Sequence, residues 1–103
     1  MLGYAYRDIG QHERAVEILE KVVEIRQTTL SPENPDLLGS QHELGCAYAG
    51  MGQHKRAAEI LGKVVKIQQV TLSSEHWHRL ASERWLEHCL TTLRDKGRGS
   101  VER

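Results

Sequence analysis

The sequence contains no Phe, only two Trp and three Tyr, two Pro and two Cys, and its 14 Lys and Arg are matched by 14 Asp and Glu. Each shortage excludes something. With so few rings, aromatic stacking is a poor basis for function. The zero charge balance removes the non-specific electrostatic drive of nucleic-acid binders, so no nucleic-acid partner is expected. No apolar run approaches the ~20 residues that span a bilayer, and the N-terminus lacks the basic-then-apolar form of a signal peptide, so no membrane association is expected. Cys46 and Cys89 stand far apart, in neither a CxxC nor a Cys/His metal spacing, and read as reduced thiols of a cytoplasmic protein. What is present is 103 residues, 39% hydrophobic and 27% charged, which supports one ordinary domain with a small core.

That domain is internally repeated. Sliding the chain by 42 residues aligns Leu2–Glu43 with Leu44–Trp85, with 23 of 42 positions identical. The best-matched stretch reads GQHERAVEILEKVVEIRQTTLS from Gly10 and GQHKRAAEILGKVVKIQQVTLS from Gly52. A third register starts at Leu86 and fades, keeping Leu86 and Leu93 but placing Glu87 where the others have Gly3 and Gly45.

Within each unit the apolar period is helical. Ala15, Ile18, Leu19, Val22 and Ile25 follow i, i+3, i+4, i+7 spacing, and Ala57, Ile60, Leu61, Val64 and Ile67 repeat it. Gly10-Gln11 and Gly52-Gln53 punctuate the units and can each end one helix and turn the chain into the next. Asn34 is suited to cap a helix, Pro35 to its first position and Asp36 to its positive dipole end. These signals predict five helices, over about Leu2–Ile9, Gln11–Leu30, Pro35–Met51, Gln53–Leu72 and His76–Lys96. Residues 1–96 then form one domain: a truncated repeat over 1–30, a full repeat over 35–72 and a half repeat, or capping helix, over 76–96. Residues 97–103 read as a flexible tail.

This pattern resembles the tetratricopeptide repeat. The family's Leu-Gly/Ala-x-x-Tyr is matched by Leu44-Gly45-Cys46-Ala47-Tyr48 and by Leu2-Gly3-Tyr4-Ala5-Tyr6, its turn Gly by Gly10 and Gly52, and its early small residue by Ala15 and Ala57. The resemblance implies an all-α fold of antiparallel helix pairs stacked as a short right-handed superhelix. The 42-residue unit with its Thr29–Asp36 connection is similar to the kinesin light chain variety, and to the arrays of NOD-like signalling ATPases. His42 and Glu43 stand where kinesin light chains carry paired Asn, so that family's cargo preference does not transfer. Met1-Leu2 matches Glu43-Leu44, midway along a first helix, which points to a segment excised from a longer array.

Catalytic and metal chemistry find little footing. No Cys–His pairing or metal-ligand spacing is fixed by the sequence, and GxxxxGK[ST] and GxGxxG are both absent. Glu13, Glu17, Glu20 and Glu24 have the spacing of a solvated helix face. No catalytic residue, metal ligand or cofactor is therefore expected. His12 and His54 read as half-buried rings plugging the turns, and Trp77 as a lid at the entry to the last helix. The resemblance implies a function of binding a protein or peptide, through a concave face lined by the first helices of successive units. Carried through the register, that face comprises Tyr4, Arg7 and Asp8, then His42, Cys46 and Ala49, then Arg84 and His88. The alternative is a spacer whose only contacts are with flanking repeats.

Trp77, Trp85, Leu86 and Leu90 are expected to close the far end of the domain. The front end, with a first helix of about eight residues, is below the length at which helices persist alone and leaves apolar surface bare. Residues 1–51 hold 8 acidic and 4 basic side chains, against 6 and 10 in residues 52–103. Opposed charges of this kind favour contact between copies, so a homo-oligomer formed through the front end is expected.

Overall fold

The described residues form four helices: α1 (Leu2–Thr29), α2 (Pro35–Gly50), α3 (His54–Thr71) and α4 (Trp77–Glu102). The computed structural model describes the backbone of residues 2–102 and the side chains of residues 11–95. Each helix packs on the next, and α4 also touches α2. The architecture is an all-α helical repeat, with no strand among the described residues.

Four replaces the expected five because the chain does not turn at Gly10-Gln11; Leu2–Ile9 and Gln11–Leu30 are one helix. A break would leave about four N–H and four C=O groups unpaired on either side, for an eight-residue helix with little to bury. Keeping a single Gly inside a helix costs only about 1 kcal/mol. At the second Gly-Gln the turn does form. The Met51 N–H donates to Ala47 O and Tyr48 O, and Gly52 adopts φ +81°, a conformation open to Gly at no steric cost. Here Gly50 and Met51 precede the turn, where the first repeat has Asp8 and Ile9. At the other end α4 continues to Glu102, so residues 97–102, expected as a tail, are helical backbone.

The helix starts follow local chemistry. Asn34 Oδ1 accepts from the Asp36 N–H at 2.8 Å, with Pro35 in the first turn. His76 does the same at the start of α4, its Nδ1 accepting from the His78 N–H at 3.2 Å. Arg26 of α1 fastens the first connection, donating to Asp36 O at 3.0 Å and to Ser40 Oγ.

Packing centres on α3, which lies between α2 and α4. Ala57, Leu61 and Val64 are fully buried there, as is Cys89 of α4. A Cβ at Gly45 would lie 2.6 Å from Leu61 Cγ and 3.1 Å from Ile60 Cγ2, so this glycine sets how closely α2 and α3 approach. The buried Tyr48 completes the contact; its hydroxyl donates to Glu20 of α1, and the Arg56 guanidinium sits 5.8 Å over its ring. The apolar closure expected of α4 is only partly made. Leu86 packs against the core, whereas Trp77, Trp85 and Leu90 are 69%, 38% and 52% exposed, because no described helix lies over the faces that carry them.

The glycines separate two effects in one measurement. Gly45→Ala is expected to lower stability by about 1–3 kcal/mol through overpacking against Leu61. Gly62→Ala, with nothing within 4 Å of the added methyl, is expected to raise it by up to about 1 kcal/mol. Urea unfolding monitored by circular dichroism checks both signs.

Candidate functional site

One face of α2 and the facing side of α4 bring together most of the polar side chains that the sequence singled out. His42 and Cys46 are one helical turn apart on α2, with Cys46 Sγ 3.6 Å from His42 Nε2. The other ring nitrogen, Nδ1, is hydrogen-bonded at 2.9 Å to Ser82 Oγ of α4, a fully buried hydroxyl. The His42 ring also stacks near His78, with centroids 5.9 Å apart. One imidazole thus ties the two helices together.

This Cys–His–Ser chain has the connectivity of a nucleophilic site but the opposite electrostatics. Burial pushes the Cys46 thiol up to about 11, with Cys89 and Glu43 adding to the effect. Burial, then the neighbouring His78, push His42 below its ordinary value against a smaller opposing effect of Glu43. An activated thiol requires the reverse, a lowered thiol beside a cationic imidazole. Both groups are therefore neutral at pH 7 and act as hydrogen-bonded packing. Among the described residues no group of three His, Cys, Asp or Glu side chains is placed to hold a metal ion. Among the described residues no helix is long and apolar enough to cross a membrane.

Next to this cluster the surface is open. Arg84, Trp85 and His88 line a cavity of about 280 Å³ on α4. The His88 ring lies edge-on to Trp85 and to His54, each at a centroid distance of 6.0 Å. Trp85 also borders a cavity of about 460 Å³ shared by α1 and α2, lined in part by His12, Leu19, His42 and Cys46. Exposed on α4, Trp85 is the side chain common to both hollows.

Of the residues expected on this face, His42, Cys46, Arg84 and His88 are there, the first two half-buried and the last two exposed. Ala49 is not, being buried in the core. Its position, three residues past Cys46, rotates it toward α3. The side chains of Tyr4, Arg7 and Asp8 lie outside the described residues. His54 is half-buried beside the turn at Gly52, as expected, whereas His12 lies inside the unbroken α1 with no turn to plug, and its half-buried ring reaches across to α2, where it fills the space a Gly50 side chain would need. A signal for Trp85 exists in the sequence: it is the 42-residue equivalent of Glu43, the neighbour of His42. Its apolar character points instead to the end of the domain.

The helix-pair geometry, its glycine contact and the 42-residue period have a counterpart among known proteins. The tetratricopeptide repeat family model matches residues 1–69. The chain belongs to the tetratricopeptide repeat family. The repeat is of the kinesin light chain type. Two crystal structures of nearly identical TPR-like repeats from a Podosopora anserina protein named for the kinesin light chain, one of them a point-substituted form, superpose with a TM-score of 0.80 at 45% identity. Each match covers 90% of this chain and 45% of that one, so this TPR chain spans about half the length of its structural relatives. No curated protein sequence matches it. TPR folds serve generally as protein–protein interaction modules and are typically non-enzymatic scaffolds.

The two shifted groups give two measurable consequences. At about pH 8 the Cys46 thiolate fraction is roughly a hundredfold below that of a free cysteine, and alkylation by iodoacetamide is expected to slow in proportion. For His42 the folded chain binds its proton less readily than the unfolded chain, whose histidine titrates near 6.5. The stability that His42 contributes is thus complete above that value and is lost as pH falls through it. The thermal midpoint is expected to drop between about pH 7.5 and 5.5, and less steeply in His42→Gln, as differential scanning fluorimetry would show.

Proposed function

We propose that this TPR chain binds an extended peptide or a segment of a neighbouring domain across the face formed by α2 and α4, as part of a larger cytoplasmic scaffold or sensor. The observation that carries this reading is Trp85, an exposed aromatic side chain bordering two adjacent hollows, with Arg84 and His88 beside it. A large flat ring with a guanidinium next to it is the composition of an interaction hot spot. The fitting partner carries an apolar side chain for the hollow at Trp85 and a carboxylate for Arg84. His42 and Cys46, tied to Ser82, form a rigid floor that requires little ordering on binding. The 45%-identical repeats named for the kinesin light chain support a binding role, and the long repeat unit supports kinship with arrays of NOD-like signalling proteins.

The competing reading, a spacer with no ligand of its own, makes a different prediction. Peptides selected from a random display library on the immobilised chain are expected to lose at least about tenfold in affinity on Trp85→Ala, and severalfold on Arg84→Ala. Peptides that bind both variants as well as the parent would sink the groove assignment. Failure to select any peptide would favour the spacer.

A further inference from the structure

The chain makes the same helix junction twice and fills it once. At the first, Arg26 of α1 reaches to the start of α2, donating to Asp36 O and Ser40 Oγ. The 42-residue equivalents at the second junction are Gln68 of α3, with His78 and Ser82 of α4. Gln68 is shorter than arginine and uncharged. It is 1% exposed, and its Oε1 is buried with no hydrogen-bond partner among the described residues. The Ser82 hydroxyl is engaged by His42 instead. The second connection is held from another direction, by Arg79, which donates to Leu72 O at 3.2 Å and pairs with Glu83. What remains beside Gln68 is a hollow of about 320 Å³ between the start of α2, the end of α3 and the start of α4. A buried amide oxygen without a donor is costly to keep, and it marks the place where one is missing.

The surroundings favour a donor that is also a cation. Leu38 and Gln68, both buried, form the floor of the hollow, and the exposed Glu33 and Thr71 stand at its rim. The helix α3 ends here, at Thr71 and Leu72, and presents the negative end of its dipole. The positive end of α2 is offset by Asp36 in its first turn and by Asn34, which accepts from the Asp36 N–H. Among the described residues no Lys or Arg lines the hollow.

We propose that this hollow binds the guanidinium of an arginine side chain from a peptide partner, restoring at the α3–α4 junction the group that Arg26 supplies at the α1–α2 junction. A guanidinium carries five N–H donors in a planar fork. One meets Gln68 Oε1 at the floor, the charge faces the Glu33 carboxylate, and the methylene stem lies along Leu38 and Leu72. A lysine ammonium is a point charge without that fork and is the poorer fit. The site is separate from the Trp85 face, since it shares no lining residue with either hollow there. It therefore stands or falls independently of the peptide face proposed above.

The probe is N-acetyl-arginine amide, titrated into the nitrogen-15-labelled chain and followed by NMR. The side-chain amide of Gln68 and the backbone amide of His78 are expected to shift saturably, with a Kd of about 1 mM. The corresponding citrulline amide, of the same shape without the charge, is expected to bind at least about tenfold more weakly, and the lysine amide severalfold more weakly. Free arginine is expected to bind no tighter than the capped form; a lower Kd for it would overturn a peptide as the source. Gln68→Arg places the chain's own guanidinium in the hollow, and is expected to abolish binding and raise the thermal midpoint. Glu33→Gln, at an exposed position of the connection, is expected to weaken binding severalfold with the fold unchanged, which tests the site without altering the core. The proposal is overturned if N-acetyl-arginine amide gives no saturable shift up to about 20 mM, or if the citrulline amide binds as tightly. It is equally overturned if Glu33→Gln, or a folded Gln68→Arg, binds the probe as the parent does.

Discussion

At Gly45 two helices meet with no side chain between them. Leu61 and Ile60 of α3 occupy the space that a Cβ would fill, and this fixes both the separation of α2 from α3 and the rotation of α2 about its own axis. The rotation decides which side chains α2 offers elsewhere. With Leu44, Gly45 and Tyr48 turned to α3 and α1, His42 and Cys46 are left facing α4 and solvent. The bridge from His42 to Ser82 and the seat under Trp85 are consequences of a contact on the opposite side of the helix.

Much of this was readable from the residues, because it is local or repeated. The 42-residue period, the Ala57-Leu61-Val64 stripe and the Asn34-Pro35 helix start need no knowledge of the rest of the chain. Other features depend on what lies across an interface. Gly10-Gln11 and Gly52-Gln53 are the same dipeptide, yet one stays helical and the other turns, because the helix before Gly52 is long and buried on both sides whereas Leu2–Ile9 is short. Ala49 lies between two faces on a helical wheel, and the α3 contact takes it into the core. Trp85 is visible in the sequence but reads as belonging to another surface, since an apolar ring gives no sign of which neighbour it lacks.

The half-buried cluster at the centre of the candidate site shows how connectivity can mislead about chemistry. Cysteine, histidine and serine stand within hydrogen-bonding reach of one another, but removal from water disfavours every charged form that nucleophilic chemistry would use. Desolvation converts the three into a neutral pin between α2 and α4. The part of the surface suited to recognition is the exposed edge beside it, where Arg84, Trp85 and His88 remain in contact with water.

Glu87 occupies the position that Gly45 holds one repeat earlier, and Leu90 that of Tyr48. Both border a hollow of about 470 Å³ on α4, together with Val65 of α3. A helix with the sequence of α3 set into that hollow in the same register would meet a carboxylate where α3 meets bare backbone, and would have to stand off from α4. The array is therefore directional as a building unit. A tandem copy of Leu44–Trp85 inserted ahead of Leu86 brings its own glycine to each new junction, whereas one appended behind α4 has no such junction to use.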